Sequence, residues 1–158
     1  AQCLSWWGNL TMGDVRSAIA GAGSALEEID LAGTTFLVAG DGPNLRSSDI
    51  DAALAKPHLL APFDEYLLGY RSREAVITAE RLDAVVPGRN GMFKPIVVVN
   101  GEVVGLWSRK ATTKSVTVTV EPFEKLPASA LDGLRHRADA YGAFLGRQAT
   151  MVVAPLTG

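Results

Sequence analysis

Apolar positions along this chain follow two periods, and the places where one gives way to the other outline its elements. In "TMGDVRSAIAGA", residues 11–22, Met12, Val15, Ile19 and Ala22 fall on one helical stripe. Thr11 with Asp14 three residues on has the form of a capping box, and Gly23 is a natural stop. "ALEEIDLAGTTFLVAG" then predicts a hairpin turning at Ala32-Gly33, with Phe36 and Val38 on one face of the return strand. Helix followed by hairpin is the second half of a winged helix-turn-helix. On that reading residues 1–7 form the preceding helix, Gly8-Asn9 lies in the turn, and the first helix lies outside this sequence.

Further on, Asp41 to Pro43 reads as a turn and "SSDIDAALA" (47–55) as a short helix with a serine cap. Lys56-Pro57 must end that helix, because the residue before a proline is pushed out of the α region. "SREAVITAERLDAVV" (72–86) predicts a helix with Ser72 as its cap, stopping at Pro87-Gly88. The period then changes to two. "PIVVVNGEVVGLW" has apolar runs either side of Asn100-Gly101, the favoured two-residue turn, so strands at 95–99 and 103–108 should pair around it. "KSVTVTVEPF" alternates strictly, with Val116, Val118 and Val120 on one face and Thr117 and Thr119 on the other. "PASALDGLRHRADAYGAFLG" returns to the helical period, with Leu131, Leu134, Ala138, Tyr141 and Leu145 on one stripe, and "TMVVAP" adds a last short strand.

The expected fold class is α+β. A partial winged-helix unit (1–42: helix, turn, helix, wing hairpin) precedes connector helices and a small curved antiparallel sheet or barrel (43–158), with the 128–146 helix packed on it. The chain shows no internal repeat, low-complexity tract or flexible linker.

Composition supports a full core: 158 residues, 47% of them hydrophobic. No apolar run approaches the roughly 18 residues that cross a membrane, so no membrane partner is expected. A single cysteine, Cys3, rules out an internal disulfide and a cysteine-based zinc site, and a reducing cytoplasmic location fits it. The opening "AQCLSWWGNL" has no starting methionine and no basic-then-apolar signal, which leads to the expectation of a piece of a longer protein. The net charge of −2 hides an asymmetry. Residues 1–66 carry three bases against nine acids, and residues 67–158 carry twelve bases against eight acids. A polyanion should therefore meet the second half.

The densest stretch is "PFDEYLLGYRSR", residues 62–73. Asp64 and Glu65 could be an acid/base pair, Arg71 and Arg73 could hold a phosphate, or the stretch could be a structural corner. Neighbouring residues diverge on a helix and oppose on a strand, so the two carboxylates do not line one cleft without a sharp bend. A capping or salt-bridging role with Arg71 or Arg73 suits them better. His58 and His136 stand alone, without a second ligand at metal spacing, and His136 between Arg135 and Arg137 fits a solvated face; no metal and no cofactor is expected. "PGRNGMFKP" (87–95) lacks the Gly-Lys-Ser/Thr ending of a phosphate-binding loop, and its glycines serve a tight connection into the hairpin. Yet residues 88–114 hold Arg89, Lys94, Arg109, Lys110 and Lys114 against only Glu102, the charge pattern of phosphate contacts. Trp107 beside Arg109 either stacks on a base or belongs to the core. The 11–22 helix has one base, Arg16, and one acid, and is poorly equipped to read base edges.

"ALEEIDLAGTTFLVAGD", "LLAPFDEYLLGYRSR" and "VVPGRNGMFKPIVVVNGEVVGLW" together resemble the C-terminal half of the bacterial winged-helix DNA-binding-domain family, which includes the AlkZ-like and YcaQ-like DNA glycosylases that unhook interstrand crosslinks. The resemblance runs from about residue 4 to about residue 147. It implies the end of the last winged unit followed by a terminal barrel-like domain, and DNA as a partner along with the N-terminal half of the parent protein. It also implies that "PFDEYLLGYRSR" joins the two parts, with its arginines toward nucleic acid. The family's glycosylases carry a Gln-x-Gln or Gln-x-Asp motif in the N-terminal half. This chain has only Gln2 and Gln148, neither in such a pattern, so no catalytic residue carries over and the chain alone is expected to be inactive. The candidate DNA contacts are Arg71, Arg73, Arg89, Lys94, Arg109, Lys110 and Lys114, binding weakly through phosphates. A non-enzymatic regulatory or protein-interaction module is the alternative.

Overall fold

A computed structural model describes residues 1–31, 33–40 and 46–156. The chain forms two compact units, Ala1–Asp49 with Glu65–Ser72, and Ile50–Asp64 with Arg73–Gly158. The chain passes between them three times, and "PFDEYLLGYRSR" contains two of these passages: into the first unit at Glu65 and out of it at Arg73.

In the first unit, α1 (Gln2–Gly8) ends at Asn9, whose left-handed backbone (φ 49°) turns the chain. Helix α2 (Met12–Ala22) opens at Thr11, whose side-chain oxygen accepts a hydrogen bond from the Asp14 N–H at 3.2 Å. The Thr11 hydroxyl in turn donates to the Asp14 carboxylate at 2.6 Å, so the box closes side chain to side chain. Of the predicted stripe Val15 is fully buried, Met12 and Ile19 are half-buried, and Ala22 is exposed. Strands β1 (Leu26–Leu31) and β2 (Thr34–Ala39) make a two-stranded antiparallel sheet with Leu31 opposite Thr34. Of the predicted turn, Gly33 donates to Asp30 Oδ1 at 3.0 Å, while Ala32 lies outside the described residues, as does the 41–43 turn. Helix α3 (Ser47–Leu54), along which the chain passes from the first unit to the second after Asp49, starts with an acidic cap: Asp49 accepts from the Arg46 N–H at 3.3 Å and pairs with its guanidinium at 3.1 Å. Arg46, not a serine, precedes the helix, and the serines expected to cap it, Ser47 and Ser48, lie inside its first turn. The helix ends before Pro57, as the proline rule requires.

The second unit contains a five-stranded sheet in the order β3 (His58–Leu60), β4 (Ile96–Val99), β5 (Glu102–Ala111), β6 (Ser115–Pro122), β7 (Gln148–Val153). A four-residue helix, α4 (Glu65–Leu68), lies in the chain between β3 and β4 and belongs to the first unit. Also between them is α5 (Ala79–Val85), which corrects the helix expected over 72–86. Its cap is Thr78, not Ser72, and it begins seven residues later than predicted. Val76, Ile77 and Thr78 are β-branched, which disfavours helix, and the Val76 carbonyl accepts the Val103 N–H at 2.8 Å. The turn between β4 and β5 is the predicted one: Asn100 and Gly101 both have positive φ, 51° and 80°, as a type I′ turn demands.

The sheet corrects two expectations. The first three pairings are antiparallel, but β6 and β7 are parallel. The connection between them is the long helix α6 (Ala128–Phe144), so β6-α6-β7 is a crossover unit. The sheet is also open, because the helix returns the chain beside β6 and leaves β3 and β7 at opposite ends of the order. It is no closed barrel.

The predicted alternation in β6 holds: Val116, Val118 and Val120 are fully buried, and Thr117 and Thr119 are half-buried. Residues Val103 to Leu106 of β5 are buried in succession, so both faces of the sheet centre are covered. On one face Ala130 and Leu134 of α6 pack with Val97, Val104, Val120 and Leu126. The most buried ridge of α6 is Ala130, Leu134, Ala138 and Gly142, flanked by half-buried Leu131, Tyr141 and Leu145. Small residues on and beside this ridge bring the helix close. A β-carbon at Gly133 would lie 2.5 Å from the Pro57 ring, and one at Gly142 would lie 2.8 Å from the Arg147 carbonyl oxygen.

Gly105 makes the tightest approach within the sheet: an added β-carbon would sit 2.6 Å from the Glu121 carbonyl oxygen and 2.8 Å from Pro122 Cα. Both obstacles are backbone. Gly105→Ala should destabilise the chain by about 1–3 kcal/mol through overpacking. Gly21→Ala, in α2 with nothing within 4 Å of the new atom, should instead gain roughly 0.5–1 kcal/mol from lost unfolded-state freedom. Urea unfolding of both variants checks the opposite signs.

Candidate functional site

The seven cations singled out in the sequence fall into separate groups. Arg71 is exposed and belongs to the first unit. In the second unit Arg73 is half-buried, its guanidinium 5.2 Å above the Phe93 ring centroid, and burial lowers its pKa from the ordinary arginine value. Arg89 and Lys94 are exposed in the 87–95 connection. That segment is a tight turn, as expected, with positive φ at Gly88, Arg89 and Gly91. Arg89 pairs with Asp83 at 3.5 Å, and both side chains are exposed.

Arg109, Lys110 and Lys114 gather at the far end of the β5–β6 ladder. Residues Ser108 to Ala111 pair only with β6, because β4 ends its pairing with β5 at Leu106. The strand therefore projects past its other neighbour at the point where its sequence turns from apolar to charged. Alternation along the strand sends Arg109 and Lys110 to opposite faces. The turn is fixed by Thr112, whose Oγ1 accepts from the N–H groups of Lys114 and Ser115 at 3.3 and 3.0 Å. Among the described residues none of the three cations has a carboxylate within ion-pair distance.

The remaining sequence candidates are dispersed. Glu65 opens α4 while Asp64 ends the preceding segment, and the passage between the two units falls between them. Exposed His136 donates from Nδ1 to the Asp132 carbonyl at 2.8 Å, a local contact within α6. No group of three or more His, Cys, Asp or Glu able to hold a metal occurs among the described residues. No helix among them is long and apolar enough to cross a membrane.

The structure adds a site. A concavity of roughly 500 Å³ in the second unit is lined by β3, β5 and α6, with His58, Trp107, Arg109, Arg137 and Tyr141 as its polar and aromatic members. Its geometry starts at Pro57, which is buried and faces the side-chain-free Gly133. One turn further along α6, Arg137 Nε donates to the Pro57 carbonyl at 2.9 Å. Trp107 Nε1 donates to the Leu60 carbonyl at 2.8 Å, and its ring meets Tyr141 edge-on at 5.9 Å. The Arg109 guanidinium lies over the Tyr141 ring at 5.5 Å. The Tyr141 hydroxyl is buried and has no hydrogen-bond partner among the described residues. His58 is half-buried, and burial first, then the charges of Arg137 and Lys56, hold its pKa below the usual histidine value.

Arg137, His58 and Tyr141 were not read as a site in the sequence. Two spacings carry the signal: Trp107 and Arg109 share a strand face, and Arg137 and Tyr141 share a helix face. Each pairs an aromatic with a cation.

Comparison with known proteins places this architecture. The family described as DNA glycosylase AlkZ-like matches residues 1–144. An interstrand DNA cross-link repair glycosylase of Streptomyces sahachiroi is 31% identical over 112 residues, which make up 70% of this chain and 29% of that protein. The solved structure of the Streptomyces sahachiroi DNA glycosylase AlkZ matches the fold with a TM-score of 0.68 at 25% identity, over 97% of this chain and 41% of the other. The chain thus spans well under half the length of these relatives. With a match across nearly its whole length in sequence and fold, the chain belongs to the DNA glycosylase AlkZ-like family.

Proposed function

We propose that this chain is the DNA-supporting portion of a crosslink-repair glycosylase, and that it holds the duplex by its phosphates without cleaving a base. The observation that carries this reading is the set of uncompensated cations, Arg109, Lys110 and Lys114, at the projecting end of the β5–β6 ladder. They lie in the half of the chain where bases outnumber acids. Arg71, Arg73, Arg89 and Lys94 extend the candidate surface. The helix, turn, helix and hairpin of residues 1–40 suit the latter part of a winged helix, but α2 offers only Arg16 and Asp14 to a groove. Contacts to phosphates position a duplex and carry no sequence information. The reaction itself belongs to residues outside this sequence, since Gln2 and Gln148 form no Gln-x-Gln or Gln-x-Asp pattern. Such a protein works on DNA in the cytoplasm.

A second reading, a protein-interaction module, is favoured by α1. Leu4, Trp6 and Trp7 are about half exposed on that short helix, an unusual density of large apolar surface.

Each phosphate neutralised contributes about −0.9 to the slope of log affinity against log salt, so three or four contacts give roughly −3. Anisotropy titrations at several salt concentrations should show weak binding with that slope. Reversing Arg109 and Lys110 together should flatten it and lower affinity equally on unrelated sequences. Binding unchanged by the double reversal, or altered on one sequence alone, would favour the interaction module.

Incubated with a duplex bearing an alkylated purine, the chain should release no base. Abasic sites, revealed by alkaline strand cleavage, would overturn the assignment of catalysis to residues outside it.

A further inference from the structure

Of the residues lining the concavity bounded by β3, β5 and α6, only Arg109 figures in the reading above, which otherwise uses the outer end of the β5–β6 ladder. We infer that it is a binding pocket for a phosphate monoester carrying a flat ring, that is, a single nucleotide. Four observations lead there.

First, the pocket has cations and no described carboxylate. Arg109 and Arg137 line it, and neither forms an ion pair among the described residues. Ser108, also on the lining, donates its hydroxyl to Glu121 Oε1 at 3.4 Å. Second, both guanidinium groups are held in place before any ligand arrives. Arg137 is tied through Nε to the Pro57 carbonyl, which leaves its two terminal nitrogens to present a fork. Arg109 lies over the Tyr141 ring. Arginine forks match phosphate oxygens in pairs, and a pre-ordered fork loses less freedom on binding.

Third, the wall carries aromatic surface beside the cations. Trp107 and Tyr141 both line it and meet edge-on at 5.9 Å, with the Trp107 N–H already tied to the Leu60 carbonyl. Fourth, size and lining exceed what a bare phosphate requires. The volume of roughly 500 Å³ lies within the range of small-molecule sites. Leu59, Pro62 and Pro95 supply apolar surface for a ring beside the cations. The field has the right sign as well, since Arg137 and Lys56 both disfavour a proton on His58.

The ligand is either a free nucleotide or the phosphorylated end of a DNA strand, and one calorimetric series with the full 158-residue chain separates them. The probes are thymidine 5′-monophosphate, thymidine, inorganic phosphate, and a tetranucleotide with and without a 5′-phosphate. Thymidine 5′-monophosphate should bind saturably, and at least about tenfold more tightly than thymidine or inorganic phosphate, from charge-assisted bonds to the guanidinium groups. If the 5′-phosphorylated tetranucleotide binds more tightly than the mononucleotide, the natural ligand is a strand end; if it binds equally or less tightly, a free nucleotide. Both results support the pocket.

Arg137→Gln should weaken the mononucleotide about tenfold. Because Arg137 also braces Pro57, Arg109→Gln is made in parallel, with folding checked by circular dichroism. It leaves the Pro57 brace intact and should weaken binding to a similar degree. Reversal of Lys110 and Lys114 should leave mononucleotide affinity unchanged, which separates this pocket from the outer cationic end. Loss of duplex binding in that variant with mononucleotide binding intact supports two distinct sites. The inference is overturned if thymidine 5′-monophosphate gives no heat, if thymidine binds as well as its phosphate, or if folded Arg109→Gln binds like the parent.

Discussion

How closely α6 can approach the β3 end of the sheet is set by one contact, Pro57 against the bare Cα of Gly133. That closeness governs much else in the second unit. It brings Arg137 within hydrogen-bond reach of the Pro57 carbonyl, and the same seating leaves Tyr141 in ring contact with Trp107 and Arg109. Leu134, next to Gly133, drops into the centre of the apolar cluster, where full burial of a leucine stabilises by about 1.5–3 kcal/mol. Polar and apolar interactions are therefore set by one spacing. The carbonyls of Pro57, just before the three-residue strand β3, and Leu60, its last residue, anchor one side chain from α6 and one from β5.

What could be read in the sequence divides along physical lines. The Asn100-Gly101 turn and the β6 alternation were legible because each is a local rule: two positive φ values, and side chains on alternate faces. Strand β3 was not, since three residues are too few to show a period. The direction of β7 was hidden for a different reason. Periodicity reports which face a side chain takes, and carries nothing about whether its strand runs parallel or antiparallel to a neighbour. The early part of the 72–86 helix failed because a long-range bond, Val103 N–H to the Val76 carbonyl, competes with helix formation there. The cationic residues of the β5–β6 end were found by composition alone. Arg137 and His58 were missed because a helix crossover brings together groups nearly 80 residues apart in the chain.

Charge on β5 has a folding role of its own. Past Trp107, whose N–H still donates to the Pro95 carbonyl at 3.2 Å, the side of β5 facing β4 has no ladder partner among the described residues, and an unpaired edge invites other strands. Arg109 and Lys110 lie along that stretch, and charged side chains at an open edge oppose association with another chain. The same pair thus has a reason to be cationic even before any ligand is considered. Nucleic acid would exploit a surface already kept clear of neutralising carboxylates.

The parallel pairing of β7 has a consequence for how the molecule comes to be made. Strand β6 gains its second neighbour only after the whole of α6 has been synthesised and has folded back across the sheet. Until then one edge of a valine- and threonine-rich strand stands open, the kind of surface that nascent chains lose to aggregation. Closure is slow if the connection is a loose coil and faster once a docked helix has shortened the search. Seating α6 early therefore protects the growing chain, and a helix that fits the sheet closely serves as an intramolecular chaperone for the strand that precedes it.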